Sequence, residues 1–245
     1  MQAEILEKLK NDQEYYGEFG RQYLSASDVS TLLHQPDKFK EEKKSPEILM
    51  GRYFHQIILE PNKPIDIPVF DSSTRGTKKF KDYLIETGLH KDDVMLTHER
   101  DNMLRCQDKL LSVFEISEII NDSNNKYEVP SVMELEGNLW KSKCDILHSD
   151  FVIDLKTTSN AKNFRSSARS FCYNSQAYLY QLQYNKPMVF IVIDKNTLQI
   201  LKAPCSEEFI SYGHDNVLKA TEVYEKFYGK NKIDDISQFV KEVIL

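Results

Sequence analysis

Val152-Ile153-Asp154-Leu155-Lys156-Thr157-Thr158 reads as a short apolar strand that carries a carboxylate and an ammonium two positions apart. Side chains alternate along a strand, so Asp154 and Lys156 share one side while Ile153 and Leu155 share the other. Half-burying such a charged pair is unfavourable unless the charges are used. A second carboxylate, Asp145, lies nine positions upstream within another apolar run, Lys143-Cys144-Asp145-Ile146-Leu147. His148-Ser149-Asp150, between the two runs, suits a short turn. Adjacent strands joined there would bring Asp145 and Asp154 together with Lys156 beside them. Hard carboxylates next to an ammonium suit a divalent cation and a water molecule poised against a phosphate.

Three further elements surround this pair. Glu134 precedes a Glu136-Gly137-Asn138 hairpin turn ahead of the Asp145 run. Gln176-x3-Tyr180 falls in a helical segment downstream, and Gly51-x3-His55 falls in another far upstream. Glu, Asp, Asp-x-Lys and Gln-x3-Tyr in that order, with Gly-x3-His before them, resemble the PD-(D/E)XK nucleases. Within that superfamily the pattern is similar to the RecB-like branch and its RecE-like, exodeoxyribonuclease VIII-like phage-type exonucleases. The likeness runs from about Ser25 to about Phe190, and Cys144 stands where the family has proline.

The resemblance implies an α/β, restriction-endonuclease-like core: a central mixed β-sheet flanked by helices. It implies an exonuclease dependent on one or two Mg²⁺ or Mn²⁺ ions that hydrolyses linear duplex DNA from its ends. Digestion in the 5′ to 3′ direction would leave single strands for recombination. A ring-shaped homo-oligomer, a single-strand annealing protein as partner and a cytoplasmic setting, in a bacterial host or a phage-infected cell, belong to the same expectation. An endonuclease, a nuclease of opposite polarity and a catalytically inactive DNA-binding relative are the alternatives. The complete set of Glu134, Asp145, Asp154 and Lys156 argues against the inactive relative.

On this reading Glu134, Asp145 and Asp154 are oxygen ligands for the metal, with the backbone carbonyl of Leu155 as another. Glu136, on the same strand face but at the turn, is the alternative to Glu134. His55 is a metal ligand or phosphate-side residue, and Gly51 lets its helix approach the sheet closely. Lys156 orients the attacking water or neutralises charge on the phosphorane. Gln176 and Tyr180, four apart on one helix face, orient a ligand or meet the DNA. Lys162, Arg165 and Arg169, which follow the Asp154 strand, line a DNA groove, and Arg52 meets a strand or its end.

Composition sets the frame. The chain has 245 residues, 40% hydrophobic and 29% charged, enough for one large domain with its own core. One domain over 1–245 is expected, mainly helical over about 1–125 and with the catalytic α/β core over about 126–245. No apolar run approaches the length of a membrane span. The four cysteines are spread too widely for metal-ligand spacing and read as reduced thiols. A net charge of −6 argues against a phosphate-binding surface overall, but cations bound among clustered carboxylates reverse the local sign. Helices are predicted over about 28–35 with Ser27 as N-cap, from Pro46 to about Glu60 behind Ser45, and over about 74–87 ending at Gly88. Others are predicted from about Thr97 into the 110s, over about 173–184, from Ser206 to about 228, and in the tail to Leu245. Strands are predicted at about 126–136, 139–147, 150–157, 188–194 and 197–203.

Overall fold

Helix caps and turn residues divide the chain much as their chemistry dictates. The structure, a computed structural model, describes residues 2–230 and 232–240. Three short helices open it, α1 (Gln2–Lys10), α2 (Asp12–Tyr16) and α3 (Glu18–Arg21), followed by α4 (Ala26–His34) and α5 (Pro46–Leu59). A two-strand parallel pair, β1 (Val69–Phe70) and β2 (Met95–Leu96), brackets α6 (Lys78–Thr87). Then come α7 (Thr97–Ser112) and α8 (Phe114–Ile120). The principal sheet uses β3 (Lys126–Leu135), β4 (Asn138–Leu147), β5 (Val152–Thr158), β6 (Met188–Asp194) and β7 (Ile200–Pro204). Helices α9 (Phe164–Ser170) and α10 (Tyr173–Tyr184) lie between β5 and β6, and α11 (Glu207–Phe227) follows β7.

Several of these boundaries have visible causes. Ser45 caps α5 by accepting from the Ile48 amide, with Pro46 in the first turn. Gly88 ends α6 in the left-handed region at φ +68°, its amide donating to Leu84 O. Helix α4 begins two residues earlier than Ser27 suggests. Ser25 is its N-cap, because the Asp28 carboxylate accepts from both the Ser25 amide, at 2.8 Å, and the Ser25 hydroxyl, at 2.7 Å. The short α9, which carries Arg165 and Arg169, is not among the predicted elements. The predicted tail helix is not found at 232–240, where a single 3-10 turn covers Ile236–Gln238, and its remainder lies outside the described residues.

The sheet is mixed and five-stranded, in sequence order from β3 to β7. Only β5 and β6 are parallel, and the connection through α9 and α10 makes that possible. Alternation in β5 distributes its residues as the sequence predicts. Ile153 and Leu155 join Ile191, Ile193 and the apolar residues of α5 and α7 in one core. Val152 joins Phe190, Val192, Trp140, and residues of α4, α10 and α11 in the other.

Two details of strand pairing place the functional groups. The β3–β4 hairpin turns through Glu136 at φ +49° and Gly137 at φ +71°, consecutive left-handed residues that fit a type I′ turn. Its register pairs Leu135 with Asn138, Val129 with Cys144 and Tyr127 with Ile146, so Glu128 falls opposite Asp145. Between β4 and β5, only Ile146↔Ile153 and Leu147↔Val152 pair. Asp145 and Asp154 are next in register, and there the strands part. Farther along, the free edge of β4 is taken by Leu24, which exchanges hydrogen bonds of 2.9 and 2.8 Å with Leu139 O and the Lys141 amide.

Because Gly137 sets this register from a left-handed conformation, Gly137→Ala should lower the unfolding free energy by about 1–2 kcal/mol. Urea denaturation of the metal-free protein measures it, and an unchanged midpoint would contradict the role given to the turn.

Candidate metal centre

The parting of β4 and β5 leaves backbone groups that side chains must satisfy. The Leu155 amide donates to Asp145 Oδ2 at 2.6 Å, so a carboxylate takes the place of a strand partner. The Leu155 carbonyl lies 2.8 Å from His55 Nε2 on α5. The other ring nitrogen, Nδ1, is 3.4 Å from Asp145 Oδ1. The structure therefore brings His55, Asp145 and the Leu155 carbonyl together. Gly51 does not have the role expected of it. A Cβ there would meet no atom within 4 Å, so close approach to the sheet does not require glycine.

The carboxylate from β3 that reaches His55 and Asp145 is Glu128, neither Glu134 nor Glu136. Glu134 pairs with Leu139 at the far end of the hairpin and is exposed, and Glu136 is in the turn itself. Six residues of strand separate Glu134 from Glu128, which puts it about 20 Å from the cluster. Glu128 adopts φ +50°, a left-handed conformation that is strained for a residue with a Cβ. Ligand atoms of His55, Glu128 and Asp145 all lie within 4.8 Å of one another.

Asp154 faces the α10 side. Its Oδ1 accepts from Gln176 Nε2, and its Oδ2 is 2.5 Å from Lys156 Nζ, although no donor meets that buried oxygen in hydrogen-bond geometry. The Lys156 ammonium also lies 4.9 Å from the centre of the Tyr173 ring, a cation–π contact. Asp154 and Lys156 are thus joined to the His55–Glu128–Asp145 group through the single residue Leu155.

The electrostatics are those of crowded, partly dry charges. Burial, and then the negative charge of Asp145, push Glu128 up to about 8. Burial works against a charged His55, but the Asp145 carboxylate outweighs it and lifts the imidazole to about 9. Burial also works against ionised Asp145, and the charge of His55 nevertheless holds it below the ordinary carboxylate value. Asp154 is raised by burial. Burial would lower Lys156, yet the Asp154 charge carries it above its ordinary value.

These residues fit a divalent cation. Carboxylates, a carbonyl and one imidazole, with the His55, Glu128 and Asp145 ligand atoms gathered together, are a donor set for Mg²⁺ or Mn²⁺, whereas the Asp154 carboxylate, expected as a further ligand, is engaged by Lys156 and Gln176.

The remaining candidates divide. Tyr180 is buried and donates to Lys143 O at 2.9 Å, so it braces β4 from α10 and cannot touch DNA. Arg52 is exposed on α5, one turn before His55. Lys162 and Arg165 are exposed just beyond the Lys156 end of β5. Arg169 is engaged on the surface, with Glu208 at 3.2 Å and the Tyr212 ring at 5.5 Å.

Among known proteins, the sequence profile of the PDDEXK-like domain of unknown function DUF3799 matches residues 22–233. No curated protein matches. A crystal structure of a candidate exonuclease from Eubacterium rectale has the same fold, with a TM-score of 0.66 at 16% identity over 96% of each chain. A phage related exonuclease from Haemophilus somnus 129PT aligns with a TM-score of 0.34 at 11% identity, covering 83% of this chain and 94% of its own. No described helix is long and apolar enough to cross a membrane.

Two outcomes follow from the geometry. Glu128→Gln should weaken Mn²⁺ binding at least ~10-fold, whereas Glu134→Gln should leave it unchanged. Equal effects in isothermal titration would return the role to Glu134. The second outcome concerns pH. His55 and Glu128 have folded values above their unfolded ones, 6.5 and 4.5, so the stability they lend is complete below those values. It is lost as pH rises through about 8 and 9, so the metal-free protein should melt at lower temperature at pH 9 than at pH 7. The same protons must leave before these side chains can bind a cation, so Mn²⁺ affinity should rise over that window with proton release. Titration in buffers of different ionisation enthalpy would detect the protons, and a pH-independent affinity would contradict the ligand set.

Proposed function

Since the chain belongs to the PDDEXK-like family DUF3799, with a PDDEXK-like nuclease fold, we propose that it is a divalent-metal-dependent deoxyribonuclease. The observation that carries this reading is the link through Leu155. Its amide holds Asp145, its carbonyl faces His55, and its neighbours in sequence are Asp154 and Lys156. A cation bound among these groups supplies Lewis acidity toward a phosphate oxygen and makes water a stronger nucleophile.

The chain's own residues account for the rest. Asp145, Glu128, His55 and the Leu155 carbonyl hold the cation. Gln176 fixes the Asp154 carboxylate, and Asp154 in turn holds the Lys156 ammonium at the site. Lys156 is largely shielded from solvent, so its charge acts with little screening on an attacking water or on the pentacoordinate phosphorus. Arg52 on α5, and Lys162 and Arg165 after β5, are exposed and would meet backbone phosphates, in a protein whose net charge is −6.

The substrate we favour is linear duplex DNA, degraded from an end, 5′ to 3′, to leave single strands for recombination. Mg²⁺ is the ion of choice, and a ring-forming homo-oligomer would keep the enzyme on its DNA. Digestion of end-labelled linear duplex and covalently closed circles tests the reading. Linear DNA should disappear with Mg²⁺ or Mn²⁺ and persist in chelator, and circles should persist throughout. Rapid linearisation of the circles would make the enzyme an endonuclease, and full activity in chelator would exclude the metal-dependent mechanism. Lys156→Ala should lower the single-turnover rate at least ~100-fold with near-parental DNA affinity in Ca²⁺. A collapse of affinity with turnover preserved would move Lys156 to the binding groove.

A further inference from the structure

The helical pair α2–α3 is held against the sheet more firmly than two helices of its length could hold themselves. Asn11 caps α2 by accepting from the Gln13 amide at 2.8 Å. Asp12 pairs with Lys143 at 2.6 Å and with Lys63 at 3.0 Å. The Tyr15 ring is buried under two ammonium groups, Lys141 at 4.0 Å and Lys143 at 4.7 Å, and its carbonyl accepts from Lys141. The chain then folds back so tightly that a Cβ at Gly17 would collide with Gln13 O, and one at Gly20 with Tyr15 O.

What this pedestal presents is Tyr16. Its side chain is 67% exposed and stands edge-to-face on Tyr15, with ring centres 4.9 Å apart. The ring lies 5.9 Å from Lys143 Nζ, which is itself 3.8 Å from the Glu128 carboxylate of the metal centre. A lone exposed tyrosine is ordinary on a protein surface. One set on a pedestal made by a buried aromatic neighbour, two lysines and two obligatory glycines, with Lys143 bridging it to the Glu128 carboxylate, is placed for use. An aromatic face beside a phosphate-cleaving site meets the base of the nucleotide held there, and it stacks on any base because every base has a π-face. It can do so only when that base is not covered by its neighbours in a duplex.

Resting on the nuclease reading above, we infer that Tyr16 is a stacking platform for an unpaired base of the strand being cut, so that the substrate reaches the metal centre as a splayed single strand.

The test uses the full chain and a short single-stranded oligonucleotide, with Ca²⁺ to allow binding without cutting. A parallel series of oligonucleotides carries one abasic site at successive positions. Tyr16→Ala should weaken binding about tenfold, the scale of one lost base–aromatic stack, while Tyr16→Phe and Tyr16→Trp stay within about twofold of the parent. One abasic position should weaken the parent by a similar factor and leave Tyr16→Ala unaffected. Parental affinity in Tyr16→Ala would overturn the inference. So would a Tyr16→Phe loss as large as that of Tyr16→Ala, or the same abasic penalty in both proteins. In each of those cases the parent still binds, and the nuclease reading stands. A parent that neither binds the oligonucleotide nor cuts linear duplex with Mg²⁺ would defeat the nuclease reading and this inference together.

Discussion

The candidate site depends on two strands that stop pairing one residue too early. β4 and β5 are hydrogen-bonded at Ile146↔Ile153 and Leu147↔Val152 and then part. The Leu155 amide turns to the Asp145 carboxylate and the Leu155 carbonyl faces His55. A continuous ladder would have satisfied these groups within the sheet and left Asp145 and Asp154 as neighbouring charges with nothing to hold them. The separation makes the opening that a cation can enter, and it fixes two candidate ligands, Asp145 and His55, by hydrogen bonds to one residue of β5. Buried carboxylates cost free energy unless they are paired, and here the pairing is divided between His55 on one side and Lys156 with Gln176 on the other.

A second constraint follows along β4. Lys141 and Lys143 alternate with Asp145 on the same face, and both lysines are buried. Burial drops Lys141 to about 8, so its environment is costly for an ammonium. The N-terminal helices offset that cost with the Tyr15 ring and carbonyl, and they pair Lys143 with the Asp12 carboxylate. Hence the first twenty or so residues are no ornament on the fold. They complete the coordination of charges on a strand that also carries a metal ligand, and Lys143 joins the two systems by its proximity to Glu128.

Much of this was legible in the sequence because the signals were local. Alternation in Val152–Thr158 placed Ile153 and Leu155 in one core and left Asp154 and Lys156 for the α10 side. Ser45-Pro46 and Gly88 marked helix ends through their own backbone chemistry. The misses came from effects that reach across the chain. Sequence order alone favours Glu134 over Glu128, although the Glu136-Gly137 turn fixes the register that selects Glu128. A two-residue turn pairs 135 with 138, and counting outward sets 128 opposite 145. Tyr180 sits in a functional-looking spacing, but α10 points its hydroxyl at Lys143 O. Ser25 and Ser27 are equally good caps by type, and only the reach of Asp28 decides between them. The role of α2 and α3 had no signature, since it arises from lysines more than 120 positions away.

Anomalous diffraction from crystals soaked in Mn²⁺ would test the central claim most directly. The account predicts a peak within about 2.2 Å of oxygens from Asp145, Glu128 and the Leu155 carbonyl, and at a similar distance from a ring nitrogen of His55. A well-occupied peak beside Glu134 or Glu136, or one that includes neither Asp145 nor Leu155, would contradict it.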